Sequence, residues 1–337
     1  MKSIPGTPQD GENPEDAKRQ KKKSAPLWHG PKLDGVLVLD KPGGITSAAC
    51  IARIKHGFGQ KKIGHAGTLD PMAQGVLLVL LGQATKLSGY LLEEGRKVYS
   101  GHILLGVETD TWDVEGTVLG EKSAEGVTPA AVEAAFAELV GTYEQVVPAY
   151  SAAKHQGRPL YELARKGEPV PVKKKEISVF SGRAELVGPA LVTFRVECSS
   201  GTYIRSLAHS LGMRLECGAT LQTLTREYSH PFGLDHAVSL DDLQANPDSF
   251  AGRVHGIGDT LAGWPTVCLS ADETARIKNG MPIAFVPSTV SVPAGNFQAG
   301  QRALLANANG TPLALASLVT EAHGNRVWKV SRGLWNS

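Results

Sequence analysis

Val76 to Leu81 is apolar at every position. A run this short and continuous predicts a strand buried on both faces. Such a strand needs cover on each side, and the flanking segments are suited to supply it. Val36–Leu39 is a compact β-rich run, and after it Ser47 is expected to cap a short helix through His56. Residues 83–93 are helical by composition. Lys97–Leu105 and Gly116–Leu119 return to strand character around a polar turn. Thr128-Pro129 caps and starts a helix with Val132, Ala135, Phe136 and Leu139 on one stripe. Ile177–Leu186 and Leu191–Cys198 form a predicted hairpin, followed by a helix carrying Ile204, Leu207, Ala208, Leu211 and Leu215. Strands interleaved with helices in this order predict an α+β fold with a mainly antiparallel mixed sheet flanked by helices. From about Gly263 the texture changes to short strands with Gly, Pro and Asn turns, which predicts a small β-rich C-terminal domain. No internal repeat is visible.

Four residues separate the apolar run from the preceding stretch Gly64-His65-Ala66-Gly67-Thr68-Leu69-Asp70-Pro71. Pro71 restricts Asp70 to extended backbone, while the glycines permit a tight loop that can approach a ligand closely. A carboxylate on a stiff loop beside a buried strand has the character of a positioned reactive group. An Asp-Pro turn opening a strand explains the same residues about equally well.

Charge and cysteine content narrow the function classes. The chain has 337 residues, enough for one large and one small domain. The net charge is +2. Residues 1–32 carry seven Lys/Arg against four Asp/Glu, or +3, which leaves −1 for the remainder. Nucleic-acid binding would therefore require the fold to gather positive charge into a groove. Residues 1–30, with the run Lys18-Arg19-Gln20-Lys21-Lys22-Lys23, are too polar to offset their chain entropy and are expected to be a disordered basic tail, with order beginning near Leu33. Cys50, Cys198, Cys217 and Cys268 form no C-x-x-C pair and are expected to be buried or free thiols. No apolar run approaches a membrane span, and no signal-peptide core is present, so a cytoplasmic protein is expected. H-E-x-x-H, Walker and G-x-S-x-G motifs are absent, which argues against a metalloprotease, an NTPase and an ordinary serine hydrolase.

Arg205 falls in the first turn of the helix that begins near Thr202. A cation there opposes the helix dipole, so a carboxylate or phosphate partner is a natural expectation, with an exposed arginine as the plain alternative. Tyr203 beside it offers a ring that stacks on a base or joins the core.

Several blocks in a fixed order give the chain a close resemblance to the TruB family of bacterial tRNA pseudouridine synthases. They are Gly35 to Ser47, Gly64 to Leu77, Thr109-Asp110-Thr111, Pro148 to Lys154 with Leu160-Tyr161-Glu162 and Ala164-Arg165, Gly201 to Leu207, and Leu221 to Arg226. The resemblance covers 33–258 as a pseudouridine synthase catalytic domain and, more weakly, 263–333 as a PUA-like RNA-binding domain. It implies isomerisation of uridine to pseudouridine in the T loop of tRNA, at the position conventionally numbered 55, without metal or cofactor. Asp70 matches the essential aspartate, either adding to C1′ or assisting elimination across C1′–C2′. Arg205 matches its arginine partner, which would favour the charged carboxylate. Tyr99 matches the tyrosine that stacks on the target base, and Tyr203 and Leu224 match residues lining the uracil pocket. His65 matches the histidine that takes the space left by flipped-out nucleotides. Lys41-Pro42 is expected to shape the fold beside the loop. Asp110 belongs to a shared motif that a turn or a salt bridge also explains. The implied partner is the tRNA T stem-loop, and with no extended heptad the default is a monomer. Two other readings fit the residues: an RNA-binding or RNA-folding protein with secondary chemistry, and a synthase acting on ribosomal or other RNA.

Overall fold

The computed structural model describes residues 26–93, 95–291 and 297–335. Its larger body is built on an 11-stranded sheet. The strands that matter for the site are β1 (Gly35–Lys41), β2 (Ile63–Ala66), β3 (Gln74–Leu81), β4 (Lys97–Leu105), β5 (Gly141–Val146), β6 (Lys174–Leu186), β7 (Leu191–Cys198) and β8 (Ala219–Ser229). From β1 the spatial order runs β1-β3-β8-β4-β7-β6-β5. Every neighbouring pair in that run is antiparallel except β3 with β8, so the sheet is mixed and mainly antiparallel, as its sequence predicts.

Strand β3 explains its own composition. From Gly75 to Leu81 it is completely buried, with one apolar cluster on each face. Val76, Leu78 and Leu80 join one cluster and Leu77, Val79 and Leu81 the other. Helix α1 (Ser47–Gly57) contributes Cys50 and Ile54 to the second. Helices α2 (Pro129–Ala137) and α3 (Ile204–Arg214) cover the other half of the sheet, through Val132, Ala135 and Phe136 and through Ile204, Leu207, Ala208 and Leu211.

A second sheet of six strands contains Thr266–Leu269, Arg302–Asn307, Pro312–Thr320 and Arg326–Gly333, closed around fully buried Trp328. It is consistent with a PUA-like module. Leu304, Leu315 and Leu334 from this region pack into the same cluster as Val36 and Val76, so apolar contact continues between the two sheets.

Three expectations need correction. The α1 N-cap is Thr46, whose hydroxyl accepts from Ala49 N; Ser47 lies inside the helix and its hydroxyl is used elsewhere. Residues 83–93 are not one helix but a 3-10 segment, Gly82–Leu87, running into a short helix, Ser88–Glu93. Order also begins before Leu33. Leu27 and Trp28 both donate to the Gly57 carbonyl, and Trp28 packs edge-on against Phe250 with ring centroids 5.2 Å apart. The aromatic surface buried there stabilises the start of the ordered chain. The charged run 18–23 lies outside the described residues. Cys50, Cys198 and Cys217 are buried free thiols and Cys268 is an exposed one. Among the described residues no helix is long and apolar enough to cross a membrane.

Candidate active site

The sheet splits beside β3, and the loop carrying Asp70 emerges from the split. The end of β3 that carries Leu78 to Leu81 pairs with β2, whereas its beginning, Gln74 and Gly75, pairs with Thr225 and Arg226 of β8. Residues 67–73 must leave the sheet plane to let β8 in. Glycine is required where the two strands close: Gly75 has φ +96°, and a Cβ there would lie 2.3 Å from the Arg226 carbonyl oxygen.

Asp70 is held from both sides of the loop. Leu69 and Ala73 are buried in the core cluster that also contains Tyr99 and Leu224. The Ser47 hydroxyl donates to the Leu69 carbonyl at 3.0 Å and accepts from Leu69 N at 2.9 Å. Lys41, fully buried, donates from Nζ to the carbonyls of Pro42, Pro71 and Ala73. Gly44 N donates to the Pro71 carbonyl at 2.9 Å. The expectation that Lys41-Pro42 shapes the loop rather than taking part in chemistry fits this geometry. Ser47→Ala should leave Leu69 N–H and C=O unpaired and cost about 1–3 kcal/mol of stability. The same loosening should lower kcat more than substrate affinity; equal affinity and unchanged kcat would show that the loop does not depend on this tie.

Arg205, 5% exposed, comes from the first turn of α3 and meets Asp70 side-on. Nε lies 3.0 Å from Asp70 Oδ2, and Nη2 donates to Oδ1 at 3.2 Å. Nη1 donates to the Thr111 carbonyl at 3.0 Å and approaches Asp113 Oδ2 at 3.4 Å; Nη2 also donates to the Tyr150 carbonyl at 3.0 Å. Three of these contacts are hydrogen bonds and two are close ion-pair approaches, so each nitrogen of the guanidinium faces an oxygen. The side-on geometry leaves Asp70, whose side chain is 35% exposed, open on its outer edge. Burial next to two carboxylates accounts for a cation at a helix N-terminus despite the dipole.

Sequence reasoning missed Asp113 and Arg226. Asp113 is 4% exposed; its Oδ1 accepts from the Thr111 hydroxyl and from Glu115 N. Burial pushes its carboxyl above the ordinary value, while the Thr111 hydroxyl and then Arg205 work the other way. Asp110, by contrast, is half-buried and accepts from Thr117 N, so within that motif it serves the turn. Arg226 is fully buried, donating from Nε to the Val76 carbonyl at 2.7 Å and from Nη2 to the Gly67 carbonyl at 2.9 Å. It bridges the two edges of the split and closes the base of the loop. A charged residue in the middle of β8 carries no local sign of that role, although full burial of an arginine is rare enough to mark it.

Tyr99 lies on β4 directly between Val196 of β7 and Arg226 of β8. It is buried, and burial pushes its phenol pKa up, with Arg226 opposing. Leu224, opposite Gly101, shares the same face and the same apolar cluster as Tyr99 and the Asp70 loop. Tyr203 caps α3; its backbone N–H and C=O are both taken by the buried Gln145 side chain, at 2.8 and 3.0 Å. Its ring is half-buried against Val147, Leu160 and Leu163. His65 lies on β2, half-buried, with Nδ1 lacking a hydrogen-bond partner. Burial, then the Arg226 charge, push its imidazole below the usual value, which favours the neutral ring. Among the described residues no group of three or more His, Cys, Asp or Glu side chains is placed to hold a metal ion.

The fold has close counterparts. A chain of a solved Cbf5-Nop10-Gar1 complex superposes with a TM-score of 0.68 at 24% identity, covering 89% of this chain and 85% of that one. That likeness shows a shared fold. The family description "TruB family pseudouridylate synthase (N terminal domain)" matches residues 55–204. The tRNA pseudouridine synthase B of Oleidesulfovibrio alaskensis is 57% identical over 306 residues, which span 90% of this chain and 97% of that protein. The protein of the same name from Nitratidesulfovibrio vulgaris (Hildenborough) is 53% identical over 305 residues, 90% of this chain and 98% of its own. This chain belongs to the TruB family of pseudouridylate synthases.

Proposed function

We propose that this enzyme isomerises uridine to pseudouridine in tRNA, at the T-loop position conventionally numbered 55, with Asp70 as its catalytic residue. The observation that carries the reading is the side-on pair of Asp70 and Arg205, with one edge of the carboxylate left open. The reaction conserves every atom. The N1–C1′ bond of uridine breaks, the uracil turns in the pocket, and C5 bonds to C1′; C5 loses its proton and N1 gains one. As the glycosidic bond weakens, C1′ becomes electron-poor, and an anion aimed at it or at the neighbouring C2′ proton stabilises the change.

The remaining residues divide the task. Arg205 orients the carboxylate through its side-on contact. Tyr99 and Leu224 offer a flat, apolar surface to the uracil, and Tyr203 bounds the pocket from the start of α3. His65, a neutral ring with an unsatisfied nitrogen, is suited to enter the space left when the target nucleotide leaves its stack. An apolar pocket also keeps water from C1′, where hydrolysis would release uracil. On this reading the enzyme works in the cytoplasm as a monomer on the T stem-loop, with the six-stranded C-terminal sheet (263–333) contacting RNA shape and backbone.

The test is to incubate the protein with T-arm stem-loop transcripts and with ribosomal fragments, then derivatise and analyse by mass spectrometry, because isomerisation alone leaves mass unchanged. Pseudouridine is expected in the T-arm RNA. Product on ribosomal fragments alone would overturn the substrate, and no product on either would overturn the activity.

A further inference from the structure

Among the described residues three non-glycine positions have positive φ: Trp112 at +62°, Gln156 at +48° and Glu216 at +58°. A bulky aromatic residue is poorly suited to the left-handed region, which glycine enters freely. Strain of this kind persists only where surrounding contacts over-determine it. Trp112 stands between the two residues of its turn that meet Arg205. Nη1 donates to the Thr111 carbonyl at 3.0 Å and approaches Asp113 Oδ2 at 3.4 Å. The left-handed step at Trp112 lets a carbonyl before it and a carboxylate after it turn toward the same nitrogen.

The contacts that hold this step come from the turn itself and from two other elements. Trp112 N donates to the Thr109 carbonyl at 3.3 Å, and the Trp112 carbonyl accepts from Leu221 N of β8 at 3.0 Å. The Trp112 ring stacks on His209 of α3, with centroids 4.4 Å apart and planes 7° apart. His209 follows Arg205 by four residues, so the two side chains leave α3 on one face, a turn apart. The helix thus grips the turn twice, by Arg205 on its polar atoms and by His209 on its ring. Burial pushes the His209 imidazole below its usual value, with Glu108 opposing, which favours the neutral ring. Glu108 Oε1 lies 3.7 Å from Nδ1, and Nδ1 has no hydrogen-bond partner. No hydrogen bond at that nitrogen competes with the stack in setting the imidazole plane.

We infer that the Trp112–His209 stack is a clamp that sets the Thr111 carbonyl and the Asp113 carboxylate against Arg205, and through Arg205 sets the angle of Asp70. Both are positioning residues, acting through Arg205 rather than on the uridine. The inference rests on the catalytic reading above and adds to it two residues outside the Asp70–Arg205 pair. A glycine at 112 would suit the backbone better but would lose the clamp, so the ring is what the reaction needs.

The test uses the full chain with Trp112→Gly, Trp112→Phe, His209→Ala and the Trp112→Gly/His209→Ala double variant, at a temperature where circular dichroism shows each folded. Single-turnover rates and equilibrium binding are measured on a T-arm stem-loop transcript. Trp112→Gly relieves the backbone as it deletes the ring, and its rate should fall by roughly 10- to 100-fold, the scale of a small misplacement of reacting groups. RNA affinity should stay within about twofold of wild type. Trp112→Phe should recover most of the rate, because a flat ring again meets His209. His209→Ala should lose as much as Trp112→Gly, and the double variant no more than either. A Trp112→Gly rate within about threefold of wild type, or losses that multiply in the double variant, would overturn the clamp. A loss confined to affinity would make Trp112 an RNA contact and overturn it equally. Exchange of the Arg205 Nε–H, read by NMR without RNA, does not depend on activity. It should quicken about tenfold in Trp112→Gly and slow again in Trp112→Phe, and unchanged exchange would overturn the clamp. Absence of product from the wild-type chain would instead overturn the parent reading.

Discussion

Asp70→Asn is expected to lower kcat by roughly 10⁴-fold or more, the range seen when the central reactive group of an enzyme is removed. That is about 5 kcal/mol of lost transition-state stabilisation. The substitution is nearly isosteric, so the loop should keep its anchors: Leu69 and Ala73 in the core, Ser47 on Leu69, and Lys41 on Pro71 and Ala73. One amide oxygen can still accept from Arg205, and Asp113 still meets Nη1. RNA binding and melting temperature should therefore change little. Single-turnover kinetics on a T-arm transcript, with binding and melting measured on the same preparation, check the prediction. Turnover within tenfold of wild type would remove Asp70 from the chemistry.

Arg205→Met should damage both fold and reaction. The guanidinium satisfies two carbonyls, Thr111 and Tyr150, and two carboxylates, Asp70 and the buried Asp113. Removing one partner of a buried pair leaves the other charge uncompensated, at a cost of roughly 3–5 kcal/mol. With its orienting partner gone, Asp70 should also lose roughly 10²–10³-fold in kcat. Arg205→Lys should recover part of the stability, because a cation again faces Asp113. It should recover little activity, since one ammonium cannot hold Asp70 side-on while donating to carbonyls from two other segments. Chemical denaturation and single-turnover rates separate these effects. A lysine variant with wild-type turnover would show that charge alone, and not the fork geometry, is what Asp70 requires.

How much was legible in the sequence depended on the range of the forces involved. The Asp70 loop could be found directly because its determinants are neighbours: glycines that allow the turn, Pro71 that stiffens it, and the apolar run that follows. Arg205 could be flagged by its conflict with the helix dipole, but its partner lies 135 residues away and only the fold brings them together. Asp113 was passed over because the turn containing it offers two aspartates. The half-buried Asp110 closes the turn, and only the fold sets Asp113 against Arg205. Arg226 reaches across 159 residues to Gly67, and nothing near it in the chain hints at a sheet that opens there. The start of order was misplaced for a similar reason. Trp28 follows a long polar stretch, and its burial depends on Phe250 from the far end of the larger body.

The sequence by itself determined the local elements, the alternation of strands and helices, the stiff acidic loop and the family. Backbone preferences and apolar patterning act between residues close along the chain, so they can be read without coordinates. Only the tertiary structure decided that β8 enters beside the first residues of β3 and displaces β2. That displacement puts the loop outside the sheet and sets Arg205 against its carboxylate. The physical reason is that Coulomb attraction and desolvation depend on distance through space, and pairing between distant strands sets those distances.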